Sequence, residues 1–313
     1  MAWQLIIFSI ISTLILIALY FSLFVSVECR KRKRGYTVRQ LINGYWPYIL
    51  AAAAVYGLLQ AQFPIRQHLN LLVNYDCTAY IEHIEGGLVA GFQSMATPTL
   101  TYLMTFVYLV LFSSIVMFTF IVLAYTEQTA ELKRFSLVFI LNYLIAFPFY
   151  LLFPVTVTGY ALPSVQPLMY ELHPMVYSAI TMVDPLDNCF PSLHVALVFS
   201  TLLVIYGTNL RRYTVFLIFA FPTVVFSTLY LGVHWATDII AGMALSVLTL
   251  HIANKYGEQI LQHANIAIVE LEMLIGVKET IICNMCAYKI ITVPHIQFVS
   301  CPQCGTRIEH SVL

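Results

Sequence analysis

Charge is scarce in this sequence. Of its 313 residues only 10% are Asp, Glu, Lys or Arg, whereas 60% are apolar. Soluble domains carry about 25% charged residues. So little charge cannot solvate a chain of this length, which excludes an ordinary soluble enzyme and places much of the surface in lipid. No internal repeat or low-complexity segment is present, so solenoid and disordered classes are excluded as well. The N-terminus has no Lys or Arg ahead of its apolar run, and no small-residue cleavage site follows that run, so it does not read as a removable signal peptide. Paired charges within the apolar segments are missing too, and with them the usual mark of a transporter.

The apolar residues are grouped. Seven segments, near 3–27, 45–62, 98–125, 135–156, 190–207, 213–231 and 235–253, are long enough or nearly long enough to cross a bilayer. The second is short and ends in polar residues. Lys and Arg fix an orientation. With the N-terminus outside, the inner loops and tail hold Arg30 to Arg34, Arg39, Lys133, Arg134, Arg211, Arg212, Lys255, Lys278, Lys289 and Arg307, leaving Arg66 alone outside. Such a bias matches the positive-inside rule. Two long outer loops follow, 63–97 with an amphipathic stretch from Ile81 to Phe92, and 157–189 with Pro163, Pro167, Pro174 and Pro185.

Two polar clusters interrupt the apolar background at the outer surface. Asn188-Cys189-Phe190-Pro191-Ser192-Leu193-His194 opens the fifth segment. Ser227 to Asp238, containing Thr228, His234 and Asp238, crosses the turn between the sixth and seventh. Ionisable groups at membrane depth are costly and mark functional sites. His234 and Asp238 are one helical turn apart, so the carboxylate can hold one ring nitrogen and leave the other as a nucleophile or base. His194, from another helix, can act as an acid. Pro191 suits a first helical turn, whose free amides, with the Ser192 hydroxyl, suit phosphate.

The pattern P-S-x-H followed by S-x6-H-x3-D resembles the type 2 phosphatidic acid phosphatase superfamily. Phe190 to Ala196 (F-P-S-L-H-V-A) and Tyr230 to Gly242 (Y-L-G-V-H-W-A-T-D-I-I-A-G) are similar to its inositol phosphorylceramide synthase-like branch. The resemblance implies an all-α membrane protein with a six-helix core, supplied by segments two to seven, and one added N-terminal helix. It also implies that His234 attacks phosphorus, Asp238 orients it, His194 protonates the leaving oxygen, and Ser192 and Thr228 meet the phosphate, with no cofactor needed for catalysis. The expected function is a lipid phosphatase working through a phosphohistidine. The alternatives are a headgroup phosphotransferase and, in another class, a non-catalytic lipid-binding scaffold. The superfamily's Lys-x6-Arg-Pro element is absent, Thr228 stands where its last motif has Arg, and Leu193 replaces a Gly. The segment Phe147 to Tyr160 sits where the transferase branches carry an aromatic and proline-rich motif.

The outer side of this topology holds Asp76, Glu82, Glu85, Glu171, Asp184, Asp187 and Asp238 against Arg66. That field opposes a highly charged soluble phosphate. It suits a lipid-anchored phosphodiester whose headgroup offers hydroxyls or a cation to Asp184 and Asp187.

The tail has its own chemistry. Cys283-x2-Cys286 and Cys301-x2-Cys304 form two close thiol pairs that suit a structural, tetrahedral zinc, and the β-prone residues between them suit a small zinc ribbon in a reducing compartment. His295 and His310 fall outside the cysteine set and read as surface residues. Basic residues are too few for nucleic-acid binding, so a cytoplasmic protein is the expected partner of the ribbon and a membrane lipid that of the core. The expected domains are an N-terminal helix and basic loop over 1–39, the membrane core over 40–253, a linker helix over 254–280, and the ribbon over 281–313.

Overall fold

A computed structural model describes residues 2–31, 38–69 and 76–309 of the chain. The chain is mostly helical and is an integral membrane protein. It forms two compact units, residues 1–32 with 55–251, and residues 33–54 with 252–313.

Among the described residues five helices are long and apolar enough to cross a membrane. They are α1 (Ala2–Phe24), α4 (Pro98–Tyr125), α5 (Thr129–Leu152), α8 (Arg211–Tyr230) and α9 (Ala236–Ile275). The expected segment 45–62 lies within a helix, α2 (Val38–Leu69), that is not among the five. Its sequence spreads Gln, Asn, Arg and His along its length, which lowers its apolarity. The segment 190–207 is helical only as α7 (Leu193–Tyr206), 14 residues long. Its start is delayed because Pro191 has no amide to donate and Ser192 is the N-cap, its Oγ accepting the Val195 amide at 3.4 Å. The loops of this unit carry shorter helices, among them α3 (Thr78–Glu85) and α6 (Pro174–Val183).

The larger unit is packed by aromatic and polar ties between helices. Tyr20 and Phe24 of α1 pack on Phe118 of α4, and both also meet Phe216 of α8. Tyr20 also hydrogen-bonds Ser114, at 3.2 Å. Deeper in the unit, Asn142 of α5 donates to Ser200 of α7 at 3.0 Å and accepts from Thr249 of α9 at 3.3 Å. Polar ties of this kind replace the hydrophobic drive that helices lack in lipid. The loops 76–97 and 153–192, α4, α7 and the α8–α9 turn share one core that includes Tyr108, Val155, Met169, Val195, Tyr230 and Trp235.

The expected linker 254–280 is not a separate element. No proline occurs between Ala236 and Ile275, and α9 runs unbroken for 40 residues. At 1.5 Å per residue it is about 60 Å long, twice a hydrocarbon layer of about 30 Å. Gly276, at a φ of 77°, ends it.

In the smaller unit, β1 (Glu279–Ile282) pairs antiparallel with β2 (Lys289–Thr292), and β3 (Phe298–Ser300) with β4 (Arg307–Glu309). Glu272 of α9 is 1% exposed and accepts from three groups of this unit. These are the Trp46 indole at 3.0 Å, the His295 amide at 3.0 Å, and His295 Nδ1 at 2.6 Å. His295 is therefore an anchoring residue and not the surface residue its position suggested. A buried carboxylate requires such donors, and the histidine supplies two. His310 lies outside the described residues.

Candidate active site

The turn between α8 and α9 sets the site. Gly232 holds a φ of 74°, and a Cβ there would lie 2.6 Å from the Gln166 carbonyl, so only glycine fits. The chain then reverses, the Val233 and His234 amides donating to the Thr228 carbonyl. α9 begins at Ala236 without a polar N-cap, since Trp235 offers only an indole, whose N–H donates to the Thr156 carbonyl at 2.9 Å. Two carboxylates take over the capping. Asp238 Oδ2 reaches back to the Trp235 amide at 2.9 Å. Glu85, from the end of α3, accepts the Ala236 amide at 2.8 Å and the Thr237 amide at 2.9 Å. The helix dipole adds to this preference for negative charge.

The same Asp238 oxygen lies 3.2 Å from His234 Nδ1. A carboxylate can only accept, so Nδ1 carries the proton and Nε2 keeps its lone pair. Nε2 is buried and has no hydrogen-bond partner among the described residues. An unpartnered buried nitrogen is costly unless a ligand meets it.

His194 faces this ring at a centroid separation of 6.0 Å. It is held between the Tyr108 ring, stacked at 4.2 Å, and the Phe112 ring at 4.4 Å. Tyr108 falls within Val107–Leu111, one wide π-type turn inside α4, a distortion common at functional sites. Its hydroxyl donates to Asp184 Oδ2 at 2.8 Å. Burial pushes the Asp184 carboxyl above its ordinary range, and the nearby His234 ring and the Tyr108 bond offset only part of that rise. Burial likewise raises the Cys189 thiol well above its usual value, so it stays protonated and donates to the Val233 carbonyl at 3.3 Å.

His194, His234 and Asp184 line one cavity of about 330 Å³. Tyr108, Tyr143 and Tyr150 share its wall, and no Lys or Arg is among the described residues that line it. Asp238 stands behind His234. Three of the residues expected to meet substrate are not in the lining. Ser192 is fully buried and caps α7, the Thr228 hydroxyl donates to the Val225 carbonyl at 2.8 Å, and the Asp187 carbonyl accepts the Val155 amide at 3.1 Å. Ser192 instead joins the start of α7 to the start of α9, its amide donating to the Asp238 carbonyl at 3.2 Å. Sequence reasoning missed Glu85, Tyr108 and Tyr150. The Tyr150 hydroxyl fixes the Pro191 carbonyl at 2.8 Å. Only the position of Tyr150 inside Phe147 to Tyr160 hinted at a role.

A model of the PAP2 superfamily matches residues 83–252. The chain belongs to the PAP2 superfamily. The PAP2 match includes Glu85, Tyr108, His194, His234 and Asp238, and leaves α1 and the four-cysteine tail outside. Among solved structures the chain is similar to LpxE of Aquifex aeolicus, at 21% identity and a TM-score of 0.44, covering 55% of this chain and 96% of that one. No curated protein matches it.

The tail presents a second candidate site. Cys283, Cys286, Cys301 and Cys304 bring their sulfurs within 4.8 Å of one another. Cys283 and Cys304 are 3.6 Å apart, Cys286 and Cys301 3.5 Å. Tetrahedral zinc with Zn–S of about 2.3 Å sets sulfurs roughly 3.8 Å apart, so the donor set and spacing fit that ion.

Proposed function

We propose that the protein is an integral membrane lipid phosphatase that works through a phosphohistidine on His234, on the extracytoplasmic side. The observation that carries this is the Nε2 lone pair of His234, buried without a partner, aimed by Asp238 and opposed by His194 across a cavity. In the first step Nε2 attacks phosphorus. The N–P bond forms as the P–O bond to the leaving group breaks, and protonated His194 gives its proton to that oxygen. A water then gives a proton to His194 while its oxygen takes the phosphoryl group and the P–N bond breaks. An anionic phosphate against the His194 ring supplies the counter-charge that its aromatic surroundings lack.

Asp184 meets the headgroup in this reading. With no basic residue among the described lining, a phosphodiester carrying hydroxyls or a cation is held better than a doubly charged phosphate. Ser192 and Thr228 act as positioning residues behind the wall, and Asp187 lies beside the headgroup site. Transfer to a lipid hydroxyl is the second reading. It is favoured by the enclosure of His234, 4% exposed, which limits the access of water. The four thiolates hold a structural zinc, and the ribbon is a contact for a cytoplasmic protein.

Purified protein in vesicles with lipid labelled on phosphorus tests both readings. Label released to water supports hydrolysis, and label on a second lipid supports transfer. Turnover that survives His234→Ala would overturn the mechanism.

A further inference from the structure

The helix α1 lies outside the residues that the superfamily model matches, yet it walls the cavity. Leu5, Ile6, Ser9 and Ile10 line it. At 100° per residue these four share a helix face with the buried Thr13 and Tyr20. Ile7, Phe8 and Ile11 point the other way and are more than half exposed, as is Ile10 at the edge of the lining face. The face of α1 that carries Leu5, Ile6 and Ser9 therefore turns to the cavity, Ile10 lies at its rim, and the opposite face turns to surrounding lipid. The aromatic contacts of Tyr20 and Phe24 pin the lower end of the helix.

The cavity thus has two chemistries. One end holds His194, His234 and Asp184. The α1 side is apolar except for Ser9. A volume of about 330 Å³ is near the lower end of ligand pockets, which span about 300–1,000 Å³, too small for a whole two-chain lipid. We infer that α1 is an acyl-chain wall: the phosphate of the substrate sits between the histidines and one hydrocarbon chain lies along Leu5, Ile6, Ser9 and Ile10. A helix outside the matched residues then sets which lipid chains the enzyme accepts. This rests on the phosphoryl-transfer reading given above.

The test compares a palmitoyl lipid phosphate with a water-soluble butyryl analogue on the full-length protein in detergent. Ser9→Trp and Ile6→Trp fill the wall. Each lowers the palmitoyl-to-butyryl ratio of kcat/KM about tenfold, equivalent to roughly two methylenes losing their burial. Ile11→Trp, on the lipid-facing side, leaves the ratio within about twofold of the original. A palmitoyl lipid with a photoreactive group at its chain end, applied to the unaltered protein, labels the peptide that contains residues 5–10. Labelling confined to other helices, or an unchanged ratio in both wall variants, overturns the inference. Labelling of α1 by that probe in a protein that turns over no phosphate supports the chain site and overturns the phosphoryl-transfer reading alone.

Discussion

Asp238→Asn exchanges one carboxylate oxygen for an amide nitrogen and removes one charge. The remaining oxygen can still accept from the Trp235 amide and from His234 Nδ1, because a single carboxylate oxygen serves both, at 2.9 and 3.2 Å. Asparagine caps a helix as well as aspartate does, so the start of α9 survives. What is lost, in the proposed mechanism, is the attraction between the carboxylate and the positive charge that His234 would gain on binding phosphorus. At a separation of 3.2 Å and an effective dielectric near 20, that attraction is about 5 kcal/mol. Spent on the transition state, it corresponds to a kcat lowered by about 10³- to 10⁴-fold. Initial rates of label release from vesicles measure this, with thermal unfolding as the check that the fold is intact. A variant that keeps its unfolding temperature and retains a kcat within tenfold of the original would refute the role given to Asp238.

Three further perturbations follow from the geometry. Glu85→Gln keeps one oxygen for the Ala236 or Thr237 amide but sets an NH₂ against the other. A kcat lowered by about 10- to 100-fold with little change in KM is expected from a loss of about 1.5–3 kcal/mol in charged hydrogen bonding, and a changed KM with constant kcat would place Glu85 in substrate binding instead. Gly242→Ala puts a Cβ 2.5 Å from the Ser192 carbonyl, so α7 and α9 must part where the histidines are held. The expected cost is about 1–3 kcal/mol of stability, read from thermal unfolding, together with reduced turnover; an unchanged melting temperature would contradict the close approach. Metal analysis of the purified protein should find one zinc per chain, and a strong chelator should make the tail sensitive to protease from about residue 279. A tail that resists protease after complete metal removal would argue against a structural ion, because its buried hydrophobic cluster is as small as Cys283, Ile290 and Cys301.

The pairing of His234 with Asp238 was legible because it rests on local spacing. A separation of four positions is about one helical turn, and a Pro-Ser pair ahead of His194 announces a helix start. The apolar runs likewise announced most helices. Distant partners were not legible. Nothing near Glu85 in the chain says that it caps a helix beginning at Ala236, because the reason lies in Trp235, a residue unable to cap. Tyr108 sits within the apolar run 98–125, where nothing local says that its ring stacks on His194. Ser192 and Thr228 stand at the expected phosphate positions, and each side-chain oxygen also has a backbone partner within one helical turn. The 40-residue length of α9 was hidden by the polar residues after Ala253, which look like a boundary although no helix-breaking proline is there. His295 was taken as a bystander because its partner, Glu272, lies outside the four-cysteine pattern.

The Glu85 contact also bears on how the protein is made. Its carboxylate is separated from the first amide it receives by 151 residues. At about 5–20 residues per second a ribosome needs roughly 8–30 s to cover that distance. Through that interval Glu85 has no α9 amide to accept, while α4, α5, α7 and α8 are made. The site thus has a built-in order of completion: His194 and its aromatic holder come first, and the turn that carries His234 and Asp238 is capped by Glu85 only once α9 has begun.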